Sequence, residues 1–219
     1  MRQPQPLALF DFDDTLTRGD SIVPFLLYCR KRRLTTWRHI LYACLFWLRQ
    51  SFDHSRTLRA KEVTYAFLKG RSAKELEELA RAFFREVETR RFLPKGLEEI
   101  ASLRARGCRV LIVSASCDVY MRVLPEFLDV DAVLSTRCEV DAEGCYTGRI
   151  EANLRGEEKP RRLRRYLEEQ GLADAPILYA YGDSAGDAPM LRLAERPILV
   201  DPKKGLRRLM PQAEAVRWH

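Results

Sequence analysis

The chain has 219 residues, of which 46% are hydrophobic and 32% are charged. This composition is typical of a soluble protein with a large core, organised as one domain with a sizeable insertion. The first residues include no apolar stretch followed by a small-residue cleavage site, which predicts a cytoplasmic protein. Six cysteines form no CxxC pair, which predicts reduced thiols and argues against a zinc site.

The formal charge of +7 is unevenly distributed along the chain. Residues 16–95 contain 18 Lys and Arg against 8 Asp and Glu, whereas the remainder contains 20 against 23. A basic segment beside an acidic site favours an anionic substrate or an anionic surface as partner. The alternative is that basic runs such as residues 30–33 (RKRR) are a solvated face.

The first predicted strand ends in a group of carboxylates. The apolar run 7–10 precedes Asp11-Phe12-Asp13-Asp14-Thr15. Side chains alternate along a strand, so Asp11 and Asp13 project on the same side at its carboxyl end, where open α/β sheets bind ligands. Two neighbouring carboxylates require a cation between them or a proton on one of them. The alternative is a solvated turn with an aspartate helix cap.

Helical patterns follow over some 95 residues without any strand pattern. The predicted helices are 21–33, 36–50, 55–69 and 72–89. Ser72 followed by Glu75 predicts a capping box at the start of the last of them. We therefore predict a helical cap at residues 17–94, inserted into a core formed by residues 1–16 and 95–219.

One segment of this cap has nine consecutive apolar residues, 40–48. It is far shorter than the roughly 20 residues that span a bilayer. A buried cap helix is the favoured interpretation, and an element lying on an anionic membrane beside the arginines of residues 30–33 is the alternative. We expect His39 to be structural, and we assign no role to His54 or His219.

The second half of the chain alternates between strand and helix patterns. Strands are predicted at 110–113, 132–134, 177–181 and 198–200, and helices at 120–128, 159–170 and 188–193. This order predicts an α/β fold with a doubly wound parallel, Rossmann-like sheet. Residues 140–146 additionally predict a hairpin turn.

Polar residues again stand at the ends of these elements. Ser114 follows one strand, Lys159 starts a helix, and Asp183 and Asp187 follow another strand. Each has an ordinary alternative, such as a helix-capping serine or a surface lysine. Together they suit phosphoryl transfer, in which hard oxygen ligands hold Mg²⁺ and cations neutralise the phosphate.

In this order, DFDDT, Ser114, Lys159 and GDSAGD resemble the four motifs of the haloacid dehalogenase superfamily of phosphohydrolases. The cap resembles that of the phosphoserine-phosphatase-like subfamily (IB). Residues 153–159 (NLRGEEK) resemble in part its bacterial hydrolase branch, which includes phosphatidylglycerophosphatase C. The resemblance implies a Mg²⁺-dependent phosphatase.

The resemblance also implies roles for single residues. Asp11 would attack phosphorus, Asp13 would act as acid and then base, and Lys159 would balance charge. Ser114 and Ala115 would bind phosphate, with Thr15 supporting the loop. The metal site would comprise four carboxylates: Asp11, Asp13, Asp183 and Asp187.

Three departures put phosphoserine itself in doubt as the substrate: Asp20, Ala115-Ser116 and Gly186 differ from the residues of the phosphoserine phosphatases. We therefore expect a small or lipid phosphate monoester as substrate. One alternative is a phosphatidylglycerophosphate-type lipid phosphatase, peripheral to the inner face of the membrane. Another is a non-catalytic module that binds anions or lipid. No nucleic-acid partner is expected, because base-reading motifs are absent from the sequence.

Overall fold

The computed structural model describes the backbone of residues 4–50 and 54–219, and the side chains of these residues apart from 46–50 and 54–57. Its centre is a seven-stranded sheet with the order β4-β3-β2-β1-β5-β6-β7. The strands are β1 (Leu7–Phe10), β2 (Arg109–Cys117), β3 (Ala132–Val140), β4 (Tyr146–Ala152), β5 (Ile177–Gly182), β6 (Arg196–Val200) and β7 (Glu214–Val216). All neighbours are parallel except β3 and β4, which form an antiparallel hairpin.

Strand β1 lies in the middle of the sheet because all four of its side chains are apolar. Leu7, Ala8, Leu9 and Phe10 are completely buried, as expected for a parallel strand covered on both faces. The neighbouring strands β2 and β5 run parallel to it. The carboxyl ends of these strands therefore meet at one edge, where the candidate site lies.

In the described part of the chain, four α-helices lie between β1 and the helix that leads into β2: α1 (Ile22–Lys31), α2 (Trp37–Gln50), α3 (His54–Tyr65) and α4 (Ala73–Glu86). Helix α4 begins as predicted: the Ser72 hydroxyl accepts the backbone N–H of Glu75, and the Glu75 carboxylate accepts the N–H of Ser72. The remaining helices are α5 (Pro94–Ala105), α6 (Asp118–Met121), α7 (Glu158–Glu169), α8 (Ala188–Leu191) and α9 (Lys204–Leu209).

The chain crosses between sheet and cap at two adjacent segments. Thr17 bridges to Phe92, and the backbone N–H of Leu93 donates to the carbonyl of Leu16 at 2.9 Å. Between them, the Thr17 hydroxyl donates to the fully buried Glu88 at 2.7 Å. These contacts support the division at residues 17 and 94, which remains a prediction.

The helix predicted at residues 120–128 is wrong in extent. Helix α6 ends at Met121, and a separate 3-10 turn follows at Leu124–Glu126. Pro125 explains the break, because proline lacks an N–H and disfavours helical geometry at the residue before it. The hairpin turn predicted at residues 140–146 is confirmed between β3 and β4.

The predicted burial of the apolar segment 40–48 is wrong for most of the side chains that the structure describes. Leu41, Tyr42 and Leu45 are 62%, 57% and 52% exposed, whereas Ala43 is 1% exposed. The side chains of residues 46–48 lie outside the described residues. Within the described residues, no helix is both long enough and apolar enough to cross a membrane.

Candidate active site

Lys159 joins two carboxylates from different parts of the sheet. Its Nζ lies 2.6 Å from Asp11 Oδ1 and 2.6 Å from Asp187 Oδ1. Asp11 directly follows β1, and its N–H donates to the carbonyl of Tyr181 on β5 at 2.9 Å. Lys159 lies in the first turn of α7 and is 1% exposed. The lysine predicted at a helix start is thus a buried cation inside the site.

Burial and mutual charge control protonation in this group. Burial raises the pKa of Asp11, and repulsion from Asp187 raises it further against the attraction of Lys159. Burial opposes the charge of Lys159, but the two carboxylates hold its pKa above its ordinary value. Burial likewise opposes the charge of Asp187, but Lys159 keeps the pKa of Asp187 below its ordinary value. Lys159 is therefore charged, whereas the ionised form of Asp11 is disfavoured and would be stabilised by additional positive charge nearby.

Asp11, Asp183 and Asp187 form a buried carboxylate cluster. One oxygen of each lies within 4.8 Å of the others. Burial raises the pKa of Asp183 to about 6 despite its ion pair with Lys203 Nζ at 2.6 Å. Lys203 is shared, because it also contacts Asp14 at 2.8 Å. The excess of negative charge and the all-oxygen donor set fit a divalent cation such as Mg²⁺.

A glycine allows Asp187 to approach the strand. A Cβ atom at Gly182 would lie 2.7 Å from Asp187 Cβ, closer than side chains tolerate. The backbone N–H and hydroxyl of Ser184 donate to Asp187 Oδ2 at 2.9 and 2.8 Å. The GDSAGD segment therefore fixes one oxygen of Asp187 and presents the other to Lys159.

Asp13 belongs to the site but not to this carboxylate cluster. Its Oδ1 accepts the backbone N–H of Ser21 at 2.8 Å, and its Oδ2 accepts the hydroxyl of Ser116. Burial raises the pKa of Asp13 to about 6, and repulsion from Asp20 adds to this effect while both hydrogen bonds oppose it. Asp13 therefore exchanges a proton near neutral pH, and its side chain is not grouped with the candidate metal ligands.

The three predicted phosphate-binding residues differ in position. Ala115 is a lining residue of the cavity, whereas Ser114 and Thr15 are buried and are not among its lining residues. The Ser114 hydroxyl accepts the N–H of Ser116 at 3.0 Å. Among the described residues the Thr15 hydroxyl has no hydrogen-bond partner. Strand β2 continues past Ser114 to Cys117, so Ser114 does not end the strand as the apolar run indicated.

The site opens into a cavity of about 660 Å³ between sheet and cap. Its floor carries Asp11, Asp13, Lys159, Asp183 and Asp187. Its cap side is mostly apolar, with Ile22, Val23, Leu26, Ala43, Cys44 and Tyr65 beside the polar Asp20, Lys61 and Thr64. A phosphate at the floor would therefore place the rest of its ester against apolar cap residues.

Three further residues of the site were not predicted from the sequence. Lys61 of α3 lines the cavity and donates from Nζ to Ala115 O and, at 2.6 Å, to Asn153 Oδ1. Lys203 pairs with Asp183, and Ser116 donates to Asp13. The sequence offered a signal only for Ser116: side chains alternate along a strand, so Ser116 projects on the same side as Ser114.

The remaining expectations concern histidine and cysteine. The His39 ring lies 3.0 Å from the carbonyl of Thr64, which supports a structural role. The side chain of His54 lies outside the described residues. His219 Nε2 lies 3.5 Å from the carbonyl of Asp14, a contact that gives it no catalytic role. The structure has all six cysteines unpaired.

The sequence of residues 8–192 matches the family model of the haloacid dehalogenase-like hydrolases. Protein CicA of Caulobacter vibrioides is 31% identical over 86% of this chain and 83% of its own length. Phosphoserine phosphatase SerB1 of Mycobacterium tuberculosis is 28% identical over 92% of this chain and 67% of its own. Histidinol-phosphatase of Neisseria meningitidis is 27% identical over 90% of both chains.

Among solved structures, a protein of unknown function from Bordetella pertussis Tohama I matches 99% of this chain and 100% of its own. Its TM-score is 0.86 and its sequence identity is 26%. This match confirms the α/β fold with its mostly parallel sheet.

Proposed function

Because the chain belongs to the haloacid dehalogenase-like hydrolases and is a phosphatase, we propose that it hydrolyses phosphate monoesters through a phosphorylated Asp11 with the help of Mg²⁺. The observation that carries this proposal is the position of Asp11. It is buried at the end of β1, paired with Lys159 at 2.6 Å and grouped with Asp183 and Asp187. A carboxylate nucleophile needs this density of positive charge to approach a phosphate.

Mg²⁺ would be held by Asp11, Asp183 and Asp187, and when bound it neutralises charge on the phosphoryl oxygens. Lys159 would hold Asp11 in its ionised form and oriented toward phosphorus. Ala115 and Ser114 would bind the phosphoryl oxygens once the ester is in place, and Thr15 would support the loop. Lys203 would keep Asp183 ionised through their ion pair.

The reaction proceeds in two steps. In the first, an Asp11 oxygen bonds to phosphorus, the ester P–O bond breaks, and Asp13 gives its proton to the leaving alcohol oxygen. In the second, Asp13 takes a proton from water while the water oxygen bonds to phosphorus. The bond to Asp11 then breaks, releasing inorganic phosphate and restoring both aspartates.

The test uses 4-nitrophenyl phosphate, a generic aryl monoester. We expect hydrolysis with Mg²⁺, a loss of at least about 100-fold in EDTA, since metal ions contribute several kcal/mol, and recovery when Mg²⁺ is restored. The matched control is bis(4-nitrophenyl) phosphate, a diester that should not be hydrolysed. Full activity in EDTA would contradict the metal assignment, and absence of hydrolysis under all conditions would contradict the proposed reaction.

A lipid phosphate monoester is the second candidate substrate, in agreement with the partial likeness of residues 153–159. The observation that favours it is a set of six exposed apolar side chains on cap helices α1 and α2, of which Val23 also lines the cavity: Val23, Leu27, Trp37, Leu41, Tyr42 and Leu45. We call these six residues the apolar cap surface. Basic residues 30–33 follow Leu27 on the same polypeptide segment, and the Arg30 guanidinium lies 5.7 Å from the Trp37 ring centre. Such a combination suits an anionic lipid layer.

A further inference from the structure

A chain of buried hydroxyl groups ends on Asp13. The Ser116 hydroxyl donates to Asp13 Oδ2, and the Ser21 hydroxyl lies 3.3 Å from the Ser116 oxygen. The Tyr120 hydroxyl lies 3.0 Å from the Ser21 oxygen. Ser21 and Tyr120 are completely buried and Ser116 is 7% exposed, so water does not compete freely for these bonds.

The chemistry of the groups fixes the direction of the hydrogen bond at Asp13. Each hydroxyl has one proton, and an ionised carboxylate only accepts hydrogen bonds. When Asp13 is ionised, the proton of Ser116 is therefore given to Asp13, and the Ser21 hydroxyl contacts both Ser116 and Tyr120. Burial raises the pKa of Tyr120, so its hydroxyl keeps its proton.

Two different parts of the molecule hold the two oxygens of Asp13. Ser116 belongs to β2 of the sheet, whereas Ser21 directly precedes cap helix α1 and donates its backbone N–H to Asp13 Oδ1 at 2.8 Å. The torsion that turns a carboxyl group is broad in the absence of such contacts. With both oxygens held, the carboxyl plane has one orientation, and Asp13 lines the cavity in that orientation.

We propose that Ser116 is a positioning residue that holds the carboxyl group of Asp13 where it transfers a proton to the leaving oxygen, assisted by Ser21 of the cap and by Tyr120. This inference rests on the proposed function. When the ester P–O bond breaks, the proton moves from Asp13 to the leaving oxygen. The carboxylate that remains accepts the two hydrogen bonds of Ser116 and Ser21, which stabilise its new charge.

A positioning role and a purely structural role predict different dependence on the leaving group. A nitrophenolate leaves without a proton, whereas the alkoxide of a simple alcohol needs one. Misplacing Asp13 should therefore slow phosphoryl transfer from an alkyl monoester much more than from 4-nitrophenyl phosphate. Damage to the fold or to phosphate binding slows both esters by the same factor.

The experiment measures kcat/KM for 4-nitrophenyl phosphate and for a simple alkyl phosphate, because kcat/KM reports the steps up to the first phosphoryl transfer. For Ser116→Ala we expect the loss on the alkyl ester to exceed the loss on the aryl ester by about 10-fold or more, since general acids contribute roughly 100- to 10,000-fold. Ser116→Thr keeps the hydroxyl and should restore most of the alkyl activity. Asp13→Asn removes the acid itself and should give the largest difference between the losses on the alkyl and aryl esters.

The matched control is Ser135→Ala, which removes a hydroxyl from the neighbouring strand β3 away from the cavity lining and should change neither ester. Equal losses on both esters for Ser116→Ala, or no loss on either, would overturn the positioning role. If Ser116→Ala fails to fold, Tyr120→Phe replaces it in the test. The loss of kcat/KM should again be larger for the alkyl ester than for the aryl ester, by a smaller factor, and equal losses would overturn the positioning role. Hydrolysis of neither ester by the wild-type protein would instead refute the proposed function.

Discussion

At the scale of single residues, the site is governed by an excess of buried negative charge. Asp11, Asp183 and Asp187 are each at most 7% exposed, and the amines in contact with them are Lys159 and the shared Lys203. Burying charge without enough compensation is costly. Protonation of Asp183 near pH 6 relieves the excess at low pH, and a divalent cation relieves it at higher pH.

This competition between protons and metal predicts a pH-dependent effect of Mg²⁺ on stability. The pKa of Asp183 is raised to about 6 from its ordinary value of 3.8. Without metal, its contribution to stability is complete below the lower value and is lost as pH rises through about 6. Mg²⁺ binds the ionised form, so the increase in melting temperature caused by Mg²⁺ should be small at about pH 5 and large at about pH 7.5.

Thermal unfolding with and without Mg²⁺ over this pH range measures the effect. Asp183→Asn provides the comparison, because it removes one titrating ligand and should reduce the pH-dependent part, while Asp11, whose pKa is also raised, still titrates. An effect of Mg²⁺ that is independent of pH, or that survives unchanged in this variant, would contradict the ligand assignment.

At the scale of helices and strands, local signals in the sequence predict where an element begins better than where it ends. Ser72 with Glu75 fixes the start of α4, and the apolar run 7–10 is strand β1 without any change of boundary. By contrast, β4 and β7 were not predicted as strands. Both lie at the edges of the sheet: β4 has buried Tyr146 and Ile150 among polar residues, and β7 is largely exposed, so pairing with a neighbour decides their conformation.

The capping box predicts a measurable contribution to stability. Ser72→Ala removes the hydroxyl that accepts the N–H of Glu75 and should lower the free energy of unfolding by about 1 kcal/mol. Urea denaturation measures this change, with Ser102→Ala on the exposed face of α5 as the control. Hydrolysis of 4-nitrophenyl phosphate should be unchanged. An unfolding free energy equal to that of the wild type would show that the cap hydrogen bonds contribute nothing.

At the scale of the whole molecule, a central strand brings distant motifs together. Asp11 and Lys159 are 148 positions apart in the sequence and 2.6 Å apart in the fold. Parallel strand order allowed this juxtaposition to be predicted, because carboxyl ends of neighbouring strands share one edge. The contributions of the cap, Ser21 and Lys61, could not be predicted, since helix packing over the sheet depends on side-chain fit rather than on a motif.

The apolar cap surface predicts binding to anionic vesicles if the second candidate substrate is correct. Wild-type protein should then sediment with them and be released by salt. Changing residues 30–33 to Gln should weaken binding by about three orders of magnitude, at about 1 kcal/mol per basic residue. The control changes four exposed arginines of the core to Gln: Arg161, Arg164, Arg165 and Arg208. Equal binding by wild type and the 30–33 variant would reject the lipid surface and leave the phosphatase assignment intact.

The central claim is that Asp11 is the group that attacks phosphorus. The most direct measurement is kcat/KM of Asp11→Asn on 4-nitrophenyl phosphate with Mg²⁺, together with a thermal unfolding curve of the same variant. An amide of equal size retains the packing but does not attack phosphorus, so we predict a folded protein without measurable turnover. A folded variant that retains more than about a tenth of wild-type activity, equivalent to less than about 1.4 kcal/mol of barrier, would contradict the account.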